Sequence, residues 1–249
     1  MFDRYLHTRS IRLCLDCIGD RIDQDVPKHA GKALRISQHQ CSGVGCGGSW
    51  CDGKAIGVIG IALPFVLALG KMLLEGPGIQ GSISGYYHTA MRDIFVGSLC
   101  AIAVFLGSYR GYERTDDIAG TVAAISALGV ALFPATPELS TNQREQFAGV
   151  LHLVFAACFF LTLAFFSLAL FRKTDKTPTR QKLQRNAIYT ICGYTIVACI
   201  ILIAAITILP RDALVKTLYP IFWLEATAVV AFGVSWLTKG EAILKDKEL

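Results

Sequence analysis

Charge is scarce in this chain. Asp, Glu, Lys and Arg make up 17% of its 249 residues, where a soluble domain carries about a quarter. Apolar residues reach 53% and the mean hydropathy is +0.48, so a water-exposed globular surface cannot be built from this composition. The N-terminal fifty residues contain no apolar h-region, which argues against a cleaved secretory leader. No basic patch is interleaved with aromatics, so the net charge of +5 does not point to nucleic acid. The G-x-S-x-G elbow of serine hydrolases, the P-loop and dinucleotide fingerprints, and HExxH are all missing. No histidine has a second one turn away, and no apolar span carries two.

What is present in quantity is long apolar sequence. A bilayer core about 30 Å thick needs around 20 helical residues, and six segments approach that length: 55–74, 94–109, 118–133, 147–171, 187–209 and 218–237. The second and third are short, which calls for polar caps within the interface or local thinning of the bilayer. The sequence therefore predicts an all-α integral membrane bundle of six transmembrane helices over 54–239. A polar, Cys- and Gly-containing extension precedes it (1–53) and a short tail follows (240–249).

Basic residues set the orientation, because loops rich in Lys and Arg stay cytoplasmic. Of the 24 Lys and Arg residues, 19 fall on the side that holds both termini and only 4 on the other. Both termini are expected in the cytoplasm, and the absence of a lumenal domain or glycosylation acceptor favours a bacterial plasma (inner) membrane. The run of residues 172–185 reads mainly as a topology signal, with contact to anionic headgroups as the alternative.

Cysteines cluster at Cys14, Cys17, Cys41, Cys46 and Cys51. The second half of that set lacks the tight pair of a zinc ribbon, and a cytosolic location disfavours disulfides. In the third span, Gly120, Ala124, Ala127 and Ala131 recur at helical spacing, a pattern that lets helices approach closely. Asp116 and Asp117 suit its first turn, as Asp93 does in the second span, where Thr89 is the expected cap. Tyr86 and Tyr87 suit the membrane interface.

Glu225 is the most informative single residue. It lies inside the last apolar segment, where an unpaired charge costs roughly 2.5 to 3.5 kcal/mol, so it should face the interior and meet a partner. The expected topology puts it on the outer side with His88, Arg92 and Asp93 at the mouth of the second span and His152 below the mouth of the fourth. Either Glu225 pairs with His152 or Arg92 and merely locks helices together, or these five residues line an outer-side pocket for a small molecule or a lipid headgroup. A sharper alternative is a metal-dependent membrane hydrolase acting on a lipid-like substrate. In it His88, His152 and one of Asp93 and Glu225 would hold zinc, the remaining carboxylate would act as base, and the open position would hold water. A bis-histidine haem through His88 and His152 is disfavoured because His88 sits in a Gly-rich loop. Alternating-access transport has little support: Pro64 is the only proline well inside a span, and no matching break appears in the second half.

The stretches SISGYYHTAMRDIFVG, HLVFAACFF and WLEATAVVAFGVSWLTKG resemble a bacterial family of six-span polytopic membrane proteins of unknown function, over roughly residues 54–239. The resemblance implies the bundle and no particular activity. Ser, His and Asp near one helix mouth are also faintly similar to the alkaline ceramidase and adiponectin receptor superfamily. That superfamily has seven spans and a His-xxx-His in the last, which this sequence lacks.

Overall fold

A computed structural model describes residues 48–111, 113–137, 141–173, 179–208 and 218–243. Cys14, Cys17, Cys41 and Cys46 lie outside the described residues, as does most of the N-terminal extension. Among the described residues the regular structure is entirely helical: α1 Gly48–Glu75, α2 Arg92–Ser108, α3 Arg114–Leu132, α4 Gln143–Phe165, α5 Arg180–Ile208 and α6 Pro220–Lys239. A 3-10 turn, Ser84–His88, precedes α2, and α4 continues into a π-helical turn, Phe166–Leu170. Five of the helices are long and apolar enough to cross a membrane, the described part of α1 being Gly53–Glu75. The exception, α2, has 17 residues, about 25 Å of helix.

Neighbours in the chain are neighbours in the bundle. Each helix from α1 to α5 packs on the next, α6 returns to lie between α5 and α1, and α4 also touches α6. Large apolar side chains point outward along several helices, among them Leu69, Leu73, Ile191 and Leu202. An outer surface as apolar as the core is what hydrocarbon solvent permits.

Close backbone approach explains two seams. On α3, Ala124, Ala127 and Ala131 are buried, and a Cβ added to Gly120 would stand 2.8 Å from the Leu106 carbonyl oxygen. Gly57 of α1 and Gly233 of α6 face each other so tightly that a Cβ on either would come within 2.8 Å of the other's carbonyl oxygen. Without a hydrophobic force between helices in lipid, such contacts carry the packing.

Helix ends follow local chemistry. Glu113 and Asp116 form a reciprocal capping box at the start of α3, and the Asn142 side chain caps α4. The cap of α2 is Met91, not Thr89; the Thr89 hydroxyl accepts the Met91 N–H at 3.1 Å and donates to the Tyr86 carbonyl at 2.8 Å.

Candidate functional site

Two ends of the bundle differ in chemistry. At the end that carries residues 76–91 and 133–137, here the histidine end, a segment folds over the helix mouths. It leaves α1 through Gly76 and Gly78, both at positive φ (95° and 111°), a conformation that glycine adopts without penalty.

Glu225 stands one and a half turns into α6. Its Oε2 accepts the N–H of Ile83 at 2.5 Å, and the Ser84 backbone is a second donor. One turn earlier, the Phe222 N–H donates to the Gly81 carbonyl at 3.0 Å, satisfying one of the donors that open every helix end. Glu225 thus caps the 3-10 turn with a carboxyl supplied by another helix. Tyr86, from that turn, is wholly buried with its ring 6.1 Å from that of Phe222. Its hydroxyl accepts the Gln80 N–H at 3.3 Å, and burial raises its phenol above the ordinary range. Tyr86 is therefore a core side chain and not the interfacial one that its position suggests.

The histidines converge elsewhere. His152 of α4 is buried, and its Nδ1 donates to the Phe133 carbonyl at 2.7 Å, at the C-terminal end of α3 where carbonyls lack helical partners. The Nε2 of His88, an exposed ring, donates to the Ala135 carbonyl at 2.7 Å. Two imidazoles thus hold alternate carbonyls of one loop across Pro134, close enough together to interact electrostatically. The loop is further fixed by parallel stacking of Phe133 on Phe155, centroids 5.6 Å apart.

The remaining candidates are peripheral. Arg92 and Asp93 pair with each other at 3.4 Å, with the Asp93 side chain 74% exposed. The sequence does not single out Glu75, yet its Oε1 accepts the Ala90 N–H at 2.5 Å and ties the end of α1 to the entry of α2. His88 and His152 are brought together; Glu225 serves residues 83–84 instead. Among the described residues no group of three or more His, Cys, Asp or Glu is placed to hold a metal ion.

The opposite, basic end holds Asp116, which sequence reasoning assigned only to the first turn of its helix. Asp116 is buried and accepts Lys173 Nζ at 3.1 Å and the Glu113 N–H at 3.1 Å. Lys173 also reaches Glu113 at 3.0 Å, and Arg185 pairs with Glu241 at 3.6 Å. The hydroxyls of Ser167, in the π-helical turn, and Ser235 of α6 share a buried hydrogen bond of 2.9 Å. Trp236 packs beside them among the rings of Tyr109, Phe166, Phe171 and Phe232.

Fold and site together define an all-helical bundle whose composition and outward-facing surface are those of an integral membrane protein. No family model, curated protein or solved structure matches the chain.

Proposed function

We propose that this protein lies in a bacterial plasma membrane with six spans and both termini cytoplasmic, and that its outward-facing histidine end binds a small molecule or a lipid headgroup. The observation that carries this reading is the convergence of His88 and His152 on residues 133–135. Both rings bond carbonyls of that loop; His152 has Val130 as a further backbone partner, whereas the Nδ1 of the exposed His88 makes no hydrogen bond among the described residues. A second imidazole nitrogen accepts when neutral and donates when protonated, which suits a phosphate or carboxylate. The basic end then faces the cytoplasm, in keeping with basic loops being retained there.

The test is titration of the nanodisc-embedded, histidine-labelled protein with glycerol phosphate, followed by imidazole nitrogen resonances. Saturable shifts of His88 and His152, lost in His88→Ala, are expected. Resonances that ignore the ligand defeat the proposal. If the purified protein instead carries one equivalent of zinc that His152→Ala removes, the metal-dependent hydrolase takes its place.

A further inference from the structure

A cavity of about 440 Å³ opens between α1, α5 and α6, and neither histidine of the pair lines it. Its walls include Pro64 and Ala68 of α1, Ile79 of the covering segment, Thr195 of α5, and Trp223 and Ala231 of α6. The lining is almost wholly carbon, and the volume falls within the roughly 300 to 1,000 Å³ of small-molecule sites. Along α6 it runs from Trp223 to Ala231, about 12 Å at the helical rise, so it is a slot parallel to the helices.

Three observations say what fills it. The slot lies in three of the helices that are long and apolar enough to cross a membrane, and Phe65 and Trp223 on its walls are 56% and 57% exposed, so its mouth opens on hydrocarbon. Its length along α6 matches a chain better than a compact ring system. Among the described residues, Lys71 is the cation nearest in sequence to the slot's lining at its upper end. Lys71, one turn above Ala68, brings its Nζ to 3.8 Å from where a Cβ on Gly78 would be, beside Ile79. Among the described residues Lys71 has no hydrogen-bond or ion-pair partner.

We infer that this slot binds one acyl chain of an anionic membrane phospholipid from the leaflet at the histidine end, with Lys71 at its phosphate. Trp223 at the rim then packs on the glycerol region, where amphipathic rings settle. The site is separate from the histidine pair and stands whether or not that pair binds a ligand.

Trp223 reports occupancy. The full-length protein is placed in nanodiscs of phosphatidylcholine with rising fractions of phosphatidylglycerol brominated on its acyl chains, and the quenching lost in Trp223→Phe is taken as the Trp223 signal. A saturable component at low mole fraction is expected. It should appear at roughly fivefold lower mole fraction for brominated phosphatidylglycerol than for brominated phosphatidylcholine, the effect of one basic residue near a charged headgroup. Lys71→Gln should abolish that preference and leave the quenching. Ala231→Phe, which fills the far end of the slot away from Trp223, should abolish the saturable component. Thr227→Leu provides a milder filling should Ala231→Phe fail to fold, and the wild-type protein should retain one anionic lipid in native mass spectra after detergent washing. Quenching that rises in proportion to brominated lipid, equal for both headgroups and indifferent to the filling substitutions, is that of bulk annular lipid and overturns the inference. Neither His88→Ala nor His152→Ala should change any of these readings.

Discussion

The Glu225 carboxylate and the Ile83 amide, 142 positions apart in the chain, meet at 2.5 Å. This contact joins α6 to the segment that covers the histidine end, and it shows how a half-buried carboxyl is held in an apolar helix: by backbone N–H groups at the start of a turn.

Removing that carboxylate leaves buried donors without a partner. Glu225→Ala should cost about 1 to 3 kcal/mol and should raise amide exchange across residues 81–88, with Glu225→Gln retaining part of the protection. Hydrogen exchange read by mass spectrometry decides it. Unchanged exchange in that segment refutes the capping role.

The histidines differ in burial, and their substitutions should differ with it. His152→Ala removes a buried ring and takes its hydrogen bond from the Phe133 carbonyl, and should cost about 1 to 3 kcal/mol. His88→Ala, at an exposed ring, should cost about 0.5 kcal/mol or less. Thermal unfolding of the two variants in one detergent gives the comparison, and equal losses count against the assigned burial.

Gly233 faces Gly57 with no room for a side chain. Gly233→Val should force α1 and α6 apart and destabilise the protein by about 1 to 3 kcal/mol or more, whereas Gly97→Ala, where a Cβ meets nothing within 4 Å, should be close to neutral. A Gly233→Val protein with the parent's melting temperature is incompatible with the seam described.

At the basic end, the hydrogen bond to Glu113 raises the Lys173 ammonium above its usual range, against an opposing effect of burial and with further support from Asp116. A raised value means that this stabilisation is present in full below the unfolded value near 10.5 and is lost as pH rises through the folded one. Lys173→Met should therefore lower stability at neutral pH, and its deficit should shrink in strong alkali. Adding Asp116→Asn to it should recover part of the loss, because the buried charge is then gone. A deficit that persists unchanged in alkali contradicts the pairing.

Helix placement was legible in the apolar runs: among the described residues each long run lies in one helix, five of them long and apolar enough to cross a membrane. Ends were less so. α3 starts at Arg114 and α4 at Gln143, four residues before their apolar runs begin, since Glu113 and Asn142 cap them in polar surroundings and helices do not stop where apolar sequence stops. That Glu225 needs a partner was readable from the cost of a lone charge. The partner was not, because a backbone N–H belongs to every residue and leaves no mark in the sequence. Asp116 was hidden for a related reason: a first-turn acid explains itself locally, and its second task, holding Lys173, depends on a residue 57 positions away.

The π-helical turn at Phe166–Leu170 has a consequence for α4 as a whole. Bonding to the fifth residue instead of the fourth inserts one extra position, and each position in an α-helix rotates about 100°. The side chains of this last turn, Ser167 and Leu170 among them, are thereby shifted out of the register set by the residues before Phe166. A helical wheel drawn from the residues before Phe166 therefore misplaces Ser167, whose hydroxyl reaches that of Ser235 on α6.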